Sequence, residues 1–382
     1  MKMNILIVTS TRADFSLLKN LYKKLNASYT TKMLVTGTHL SKAYGYTIKE
    51  IKKSKINIYN TINWKSFSDN EINISRNFSK TLEQITAIFK KDKFDLLILL
   101  GDRYEILAAA ISAHLSRVPI AHLHGGEVTG GVIDDAFRHS ITKLSQIHFV
   151  ANDTYKKRVI QLGEAPERVH NVGALGVENI KKKNFLKKNA LEKKLGICFL
   201  KRVIVINFHP ETLKPNFAKL QIDILLSSLE KLKDTSLIFT MSGMDVESDV
   251  IKKSIKNFIK KNKNAHFYKS LGYELFFSLL SHIDFMIGNS SSGIFEMPYF
   301  NKITINLGDR QKGRVKAKSI VNVEITKSAI TNSINNFYDG KYNSLLKNLK
   351  KPFGKGETTN KIVGIIKKTN FNDILIKKFN DR

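Results

Sequence analysis

Cysteine is nearly absent from the sequence, in which Cys198 is the single thiol among 382 residues. One cysteine cannot form an internal disulfide or a metal site built mainly from thiolates, and it is typical of a reducing compartment. Long apolar runs are also missing. None approaches the roughly 20 residues of a membrane-spanning helix, and the apolar stretch near the N-terminus is too short for a signal peptide. We therefore expect a cytoplasmic protein without a membrane partner.

Acidic residues are scarce, since 33 Asp and Glu stand against 63 Lys and Arg and leave a formal net charge of +30. Such an excess of positive charge is typical of proteins that bind polyanions. The lysines are nevertheless spread over many helix-like stretches. The sequence has no helix-turn-helix, zinc-finger spacing or basic strand studded with aromatic residues. We expect a solvated basic surface and no specific nucleic-acid partner.

Short apolar runs alternate with helical patterns along the chain, which predicts an α/β protein with parallel sheets covered by helices. The strands predicted in the first half are residues 4–9, 32–36, 56–62, 96–100, 118–123, 146–151 and 169–173. Those of the second half begin at Val203, Leu237, His266, Phe285, Ile303 and Ile320. Predicted helices include residues 15–25, 47–54, 74–91, 360–368 and 371–379. The length favours two domains, which meet near the Lys-rich segment 181–195.

Acidic and histidine side chains follow two neighbouring predicted strands of the first half. Strand 96–100 ends just before Asp102 and Arg103, strand 118–123 runs into the motif HLHGGE, and a Gly-rich loop then leads to a helix that carries Arg138. Ligands of open α/β sheets lie outside the carboxyl ends of the strands, so we predict one active site here. Its predicted members are Asp102, Glu127, Asp134, Asp135, His122, His124 and His139.

Two alternatives stay open for this cluster. The acids can be surface residues and helix caps, and Asp134 or Asp135 can simply cap the helix that carries Arg138. A metal site is disfavoured, because HLHGGE does not match a strong zinc spacing.

The first predicted strand is followed by a polar turn at residues 10–14 and a helix, which is how mononucleotide-binding units begin. The turn lacks the G-x-G-x-x-G spacing of dinucleotide sites, and this disfavours NAD. Arg12 and Ser16 at the helix N-terminus are suited to hold an anion. From the local sequence alone, it is equally good to interpret Arg12 as a surface arginine and Ser16 as an ordinary hydroxyl cap.

Two motifs of the second half indicate a phosphate-bearing ligand. His209 follows a predicted strand and can donate to a phosphate or assist a proton transfer, although its ordinary role would be that of a hydrogen-bonded loop residue. In IGNSSSGIFEMP, Ser290, Ser291 and the start of a helix predict a phosphate cradle. Glu296, in the first turn of that helix, can accept both hydroxyls of a ribose or act only as a favourable charge. Arg310 adds a cation at the same sheet edge.

Together the motifs resemble those of the hydrolysing UDP-N-acetylglucosamine 2-epimerases of bacterial sialic-acid synthesis. The likeness covers nearly the whole chain and includes TSTRADF, VTGTHLS, LGDRYEI, HLHGGEVTGGVIDDAFRHSITK, FHPET, IGNSSSGIFE and INLGDRQKGR. It implies a GT-B-like architecture of two Rossmann-like, doubly wound domains with a cleft between them. The implied domains are residues 1–178 with the catalytic acids, residues 179–360 with the UDP site, and a C-terminal helix at 361–382 that packs back on the first domain.

The resemblance also implies a role for each matching residue. Catalytic roles fall to Asp102, Glu127, His209 and to Asp134 or its neighbour Asp135. Binding of the UDP-sugar falls to Arg12, Ser16, Arg103, Ser290, Ser291, Glu296 and Arg310. No cofactor is implied, no metal is required, and a homodimer or homotetramer is suggested.

The implied reaction converts UDP-N-acetylglucosamine and water to N-acetylmannosamine and UDP, by anti elimination of UDP and hydration of 2-acetamidoglucal. The same reaction on UDP-2,4-diacetamido-2,4,6-trideoxyglucose, on the route to legionaminic acid, stays open. A glycosyltransferase of the same architecture is disfavoured because it would offer no role for the acidic residues.

Overall fold

The computed structural model describes residues 2–67, 70–129, 132–181, 185–211, 217–240, 248–269 and 271–381. The chain forms two compact units. The first comprises Met1–Glu127, Asp134–Asn179 and Phe353–Arg382, and the second comprises Val128–Ile133 and Ile180–Pro352. Thr212 of the FHPET motif, with Gly130 and Gly131 of the Gly-rich loop, lies outside the described residues.

The first unit is built around a parallel sheet. Among the described residues its strands are β1 (Asn4–Thr9), β2 (Thr30–Val35), β3 (Ile58–Thr61), β4 (Leu96–Leu100), β5 (Ile120–Leu123), β6 (Ile147–Val150) and β7 (Val169–Asn171). Their order across the sheet is β3-β2-β1-β4-β5-β6-β7. The sequence LLILL of β4 is buried throughout, as expected for a parallel strand covered on both faces. The strands predicted for the first half are confirmed, with small shifts at their ends.

The second unit repeats this arrangement. Its strands in the described part of the chain are β8 (Arg202–Asn207), β9 (Thr235–Thr240), β10 (Ala265–Tyr268), β11 (Phe285–Gly288), β12 (Ile303–Leu307) and β13 (Ile320–Val323). They are parallel and lie in the order β10-β9-β8-β11-β12-β13, which is the order of β1 to β6 in the first sheet. The predicted α/β class with two parallel sheets is confirmed.

Helices connect the strands in both units. In chain order they are α1 (Arg12–Asn26), α2 (Ile48–Lys53), α3 (Glu71–Lys91), α4 (Tyr104–Leu115), α5 (Asp134–Leu144), α6 (Asp153–Gln161), α7 (Leu175–Lys181), α8 (Lys188–Leu195), α9 (Ala218–Leu229), α10 (Ser248–Lys261), α11 (Gly272–His282), α12 (Ser291–Phe295), α13 (Lys327–Tyr338), α14 (Asn343–Leu346) and α15 (Thr358–Lys368). Within the ranges that the structure describes, none of them has the length and apolar character to cross a membrane.

Both faces of the first sheet are buried. Ile5 of β1 belongs to one apolar core together with Leu18 of α1 and Ile362 of α15. The next residue, Leu6, belongs to another core that includes Ala109 of α4. Because successive side chains of a strand point to opposite faces, helices cover the sheet on each side, and α15 packs within the first unit.

α1 begins at Arg12 rather than at the predicted Phe15. Thr11 is its N-cap, and the side chains of Thr11 and Asp14 form a capping box with each other's backbone N–H. This spacing starts a helix by satisfying its first N–H groups. Most of the predicted polar turn is therefore the first turn of the helix.

The predicted helix at residues 371–379 is wrong, because the chain there forms a turn followed by a tail without regular secondary structure. Asp373 has φ +55°, which a helix does not tolerate. Arg168 donates to two backbone carbonyls of the tail, each at 3.0 Å, and Lys377 lies 2.6 Å from Glu164. These contacts within the first unit replace the helical hydrogen bonds that the amphipathic pattern predicted.

Glu164 anchors this tail and is expected to make stability depend on pH. Burial alone would raise the pKa of Glu164, but hydrogen bonds from His148, Lys143 and Lys377 outweigh it and lower the pKa to about 2. The associated stability is present above the unfolded pKa of about 4.5 and is lost as the pH falls through about 2. We expect Glu164→Gln to lower the free energy of unfolding by on the order of 3 kcal/mol at pH 7.

Urea denaturation of the wild type and Glu164→Gln at pH 7, 4.5 and 3 measures this effect. The difference between the two proteins should shrink as the pH falls. The exposed Glu167 provides the matched control, and Glu167→Gln should change stability by less than about 0.5 kcal/mol. A difference that is constant over this pH range would contradict an ionised, tail-anchoring Glu164.

In each sheet the strand order reverses beside its first strand, between β1 and β4 and between β8 and β11. Ligands of open α/β sheets bind in the crevice outside the carboxyl ends of the strands at such a reversal. The loops that follow these strands are therefore where each unit is expected to carry its functional groups.

Candidate active site

The HGGE motif forms a tight, buried loop at the end of β5. Gly126 has φ +74°, and a Cβ atom there would lie 2.5 Å from the backbone oxygen of Tyr155. A Cβ atom at Gly125 would lie 3.2 Å from His122 Nδ1. The two glycines are therefore needed for the close backbone approach that places Glu127 at the edge of the sheet.

Glu127 is fixed at both its side chain and its backbone. His124 Nδ1 lies 2.8 Å from Glu127 Oε1, and Arg138 donates from Nη1 to the backbone oxygen of Glu127 at 2.9 Å. The side chains of Glu127 and His124 are only 6% and 16% exposed. The structure thus brings together two of the residues that the sequence placed in one site.

Arg138 binds the carboxylates of two predicted site residues. Its Nη1 donates to Asp135 Oδ1 at 2.6 Å and its Nη2 donates to Asp102. The arginine side chain is 2% exposed, whereas those of Asp102 and Asp135 are 27% and 28% exposed. Burial alone would lower the pKa of Arg138, but the carboxylates of Asp102, Glu127 and Asp135 raise it. A charged guanidinium therefore lies behind two carboxylates that are open to solvent.

Arg103 and Asp134 lie in the adjoining part of this cluster. Arg103 precedes α4, and its Nε donates to Glu105 Oε1 at 2.7 Å. The charge of Glu105, opposed by burial and supported by Asp134, raises the pKa of Arg103. The two neighbouring aspartates thus have different surroundings, because Asp135 bonds to Arg138 and Asp134 contributes to the field at Arg103.

His122 has a structural position, which corrects the prediction that it belongs to the active site. The residue is completely buried within β5. Its Nε2 lies 2.8 Å from the backbone oxygen of Gly101, and its Nδ1 lies 3.1 Å from Thr142 Oγ1. Burial lowers the pKa of His122 to about 3, so the ring is neutral at neutral pH and holds β5 to its neighbours.

The anion site predicted at the start of α1 is occupied by the protein's own groups. The carboxylate of Asp14 accepts two backbone N–H groups of the preceding residues at 2.8 and 2.7 Å. Arg12 Nη2 lies 2.6 Å from Glu50 Oε1, and Ser16 donates from Oγ to Ala13 O at 2.6 Å. A second anion at this helix N-terminus would meet a negative charge. The anion site at this position therefore stays a prediction, and the structure shows which of the protein's own groups Arg12 and Ser16 contact.

In the second unit, Asn289 connects the loops that follow β8 and β11 by hydrogen bonds. Its Oδ1 accepts from His209 N at 2.7 Å, and its Nδ2 donates to His209 O at 2.8 Å. The side chains of Gln311 and Arg310 donate to Asn289 O at 2.8 and 3.4 Å. The structure therefore joins His209 and Arg310 in one network at the carboxyl ends of β8, β11 and β12.

The serine motif begins a short helix, α12. Ser290 is the N-cap of α12 and accepts from Ser292 N at 3.3 Å, and Ser291 is the first helical residue. α12 ends after five residues, so Glu296 is its C-cap. The prediction that Glu296 lies in the first turn is wrong. Its alternative role as a favourable charge at the N-terminus of α12 is excluded for the same reason, although Glu296 directly precedes the 3₁₀ helix Met297–Phe300.

Sequence reasoning missed several residues that link these loops. Asn289 and Gln311 were not singled out, nor was Arg314, which donates from Nε to Val128 O at 2.9 Å and from Nη2 to Thr129 Oγ1 at 2.7 Å within the second unit. Their polar character at strand ends was a visible signal. Their partners were not visible, because tertiary packing decides them.

Two of the three histidines predicted for the site, His124 and His139, lie beside carboxylates. His124 pairs with Glu127, and His139 Nε2 lies 3.5 Å from Asp135 Oδ2. Throughout the ranges that the structure describes, no three His, Cys, Asp or Glu side chains are grouped so as to hold a metal ion.

Comparison with protein families matches residues 23–367 to a model described as UDP-N-acetylglucosamine 2-epimerase. The chain is 41% identical over 327 residues to the GDP/UDP-N,N'-diacetylbacillosamine 2-epimerase (hydrolyzing) of Campylobacter jejuni subsp. jejuni serotype O:2, covering 85% of each chain. It is 38% identical over 366 residues to the Polysialic acid biosynthesis protein P7 of Escherichia coli, covering 95% of this chain and 93% of the relative.

A solved structure of a UDP-GlcNAc 2-epimerase from Neisseria meningitidis bound to UDP-GlcNAc matches the fold. The TM-score is 0.81 at 18% identity, over 96% of this chain and all of the other chain. At this identity the likeness establishes the fold, which consists of two α/β domains with parallel sheets of the GT-B-like type.

Proposed function

Because the chain belongs to the UDP-N-acetylglucosamine 2-epimerase family, we propose that it is a hydrolysing 2-epimerase of a UDP-2-acetamido sugar. The first proposed reaction converts UDP-N-acetylglucosamine and water to N-acetylmannosamine and UDP, for the synthesis of sialic acids. The observation that carries this proposal is the buried Arg138, around which Asp102, Asp135 and Glu127 are gathered. We place the catalytic acids at this cluster.

The chemistry of the proposed substrate explains why such a cluster is needed. The C2 proton of an N-acetylhexosamine is barely acidic, so its removal must accompany departure of the anomeric diphosphate. In an anti elimination, a carboxylate takes the proton from C2. The electron pair of the broken C2–H bond forms the C1–C2 double bond, and the electron pair of the C1–O bond leaves with UDP. Positive charge develops at C1 in the transition state, as the C1–O bond breaks ahead of the C2–H bond, and a nearby carboxylate stabilises it.

Hydration of the 2-acetamidoglucal completes the reaction. Water adds its hydroxyl group to C1, and a proton returns to C2 from the face that gives the manno configuration. Each positioned proton transfer contributes about 10²–10⁴-fold to the rate. We propose that Asp102, Glu127 and Asp135 supply the base, the acid and the stabilising charge, with Asp134 and Arg103 beside them.

We propose that the second unit holds the nucleotide. His209 and Arg310 share the Asn289 network, and Ser290 and Ser291 begin α12 next to it. Hydroxyl and guanidinium groups stabilise a departing diphosphate, and Glu296 is proposed to accept the ribose hydroxyls. Arg12 and Ser16 stay proposed contacts to the UDP-sugar, although their present bonds are to Glu50 and Ala13.

A second substrate is favoured by the relative that is 41% identical and whose name specifies N,N'-diacetylbacillosamine. In this alternative the substrate is UDP-2,4-diacetamido-2,4,6-trideoxyglucose. The chemistry at C1 and C2 is unchanged, since the two sugars differ at C4 and C6. The choice between them therefore rests on contacts to those two positions and not on the acidic cluster.

The test is incubation of the protein with each of the two UDP-sugars in D₂O. We expect free UDP and a manno-configured free sugar that carries deuterium at C2. Proton NMR and mass spectrometry detect both products. The sugar that is converted with the higher kcat/KM identifies the substrate. Asp102→Asn in the same reaction should release almost no UDP and incorporate almost no label.

Two results would contradict the proposal. UDP release with protium retained at C2 would exclude elimination, because the C2 bond would not have been broken. Transfer of the sugar to an added acceptor, without a free epimerised sugar, would instead indicate a glycosyltransferase.

A further inference from the structure

His124 has a strained backbone conformation that glycine would adopt with less strain. It follows β5 directly and has φ +66°, a left-handed conformation that is uncommon for residues with a side chain. The next two residues of this loop, Gly125 and Gly126, are glycines, but position 124 carries an imidazole. Strain of this kind, about 1–3 kcal/mol, persists where the surrounding structure holds the residue in place.

The hydrogen bonds of the ring determine where its proton lies. The backbone N–H of Leu175 is directed at His124 Nε2, with an N···N distance of 3.5 Å. An N–H donor requires a lone pair on Nε2, so the proton of the neutral ring is on Nδ1. Nδ1 lies 2.8 Å from Glu127 Oε1. The ring is therefore a donor to the carboxylate of Glu127.

The side chain of Glu127 is only 6% exposed. A hydrogen bond donated to the charged form of a buried carboxylate favours that form. Arg138 bonds to the backbone oxygen of Glu127, so this bond fixes the main chain. The contact with His124 fixes the orientation of the carboxylate itself.

We propose that His124 is a positioning residue, whose Nδ1–H aims the Glu127 carboxylate and keeps it ionised for the reaction. This inference rests on the proposed function, in which Glu127 is one of the catalytic acids. His124 acts through Glu127, and a role confined to filling space is the alternative that the following variants exclude or support.

The matched variants are His124→Asn and His124→Asp. Both residues tolerate the left-handed conformation, and they have nearly the same shape. Asn can place an N–H group near the position of Nδ1–H, whereas Asp places a second carboxylate against Glu127. We expect His124→Asn to keep kcat within about tenfold of the wild type. We expect His124→Asp to lower it by about 100-fold or more, since a donor is lost and a repulsion added.

His124→Gly separates the lost donor from any failure to fold. Glycine relieves the backbone strain at φ +66° but also removes the acceptor of the Leu175 N–H, so thermal melting first establishes that the variant is folded at the assay temperature. The donor is absent, and kcat should decrease by about 10- to 100-fold with KM changed by less than about threefold. Affinity for UDP, measured by calorimetry, should equal that of the wild type for all three variants.

The outcomes distinguish this inference from the proposed function. If the wild type converts either UDP-sugar but His124→Gly is as fast as His124→Asn, the positioning role is wrong. Equal rates for His124→Asn and His124→Asp would overturn it as well. A wild type that releases no UDP from either sugar would refute the proposed function, and the role of His124 with it.

Discussion

Asp102→Asn is expected to lower kcat by about 10²–10⁴-fold, which is the contribution of a positioned acid or base. One side of the Asp102 carboxylate is bonded to the buried Arg138, and 27% of the side chain is open to solvent. The amide of Asn still offers an oxygen to the guanidinium. The variant therefore loses the negative charge and the basicity at this position while the shape of the cluster is kept. Initial rates of UDP release measure the effect.

Calorimetric titration with UDP shows whether Asp102→Asn acts on chemistry alone. The proposed nucleotide ligands belong to the second unit, so the dissociation constant for UDP should not change. Asp249 supplies the control, because its side chain is 96% exposed and lies 2.9 Å from Lys252 of the same helix. Asp249→Asn should keep the wild-type rate. If Asp102→Asn retains that rate too, Asp102 has no part in the proton transfers.

The strands were predictable because each combines a short apolar run with a nearby turn. LLILL at β4 and VIVIN within β8 are buried at almost every position, and a run of this length between helical patterns fits a strand covered on both faces. The two sheets and their α/β class follow from that alternation. The order of the strands follows from pairing over long sequence distances, which no local pattern encodes.

Two helix predictions were wrong because contacts with residues distant in sequence, or helix caps, determined the structure. Residues 371–379 have an amphipathic pattern, but Arg168 and Glu164 bind this segment in a non-helical form. Glu296 falls outside the first turn because Ser290 caps the helix early and α12 ends after five residues. Helix propensity is a weak preference, and tertiary contacts of this strength override it.

The location of the candidate site was predictable from the sequence, but the hydrogen bonds and ion pairs among its residues were not. Acids after β4 and β5 had to meet at one sheet edge, because parallel strands end on the same side. The sequence placed Arg138 on the same helix as Asp135 but did not show that this arginine binds Asp102. Burial of 98% of the Arg138 side chain is a property of packing, so its central position emerged only from the structure.

Arg138→Met is expected to cause the largest loss of stability among these variants. Met fills a similar volume, but it removes the buried cation that binds the carboxylates of Asp102 and Asp135 and the N–H that Arg138 donates to the backbone oxygen of Glu127. Removal of one partner from a buried ion pair costs about 3–5 kcal/mol. Urea denaturation followed by circular dichroism should show a loss of this size. Turnover should fall at least as far as in Asp102→Asn, because both carboxylates lose their anchor.

A double-variant cycle tests the origin of that loss. In the wild type, Asp102→Asn weakens the pair with Arg138 and should lower the free energy of unfolding. In Arg138→Met, the same change removes an uncompensated negative charge and should raise it by about 1–2 kcal/mol, without restoring activity. The reversal of sign is specific to a charge network, since two residues that only fill space would give the same sign in both backgrounds. An effect of Asp102→Asn that is equal in both proteins would therefore show that Arg138 does not organise the acids.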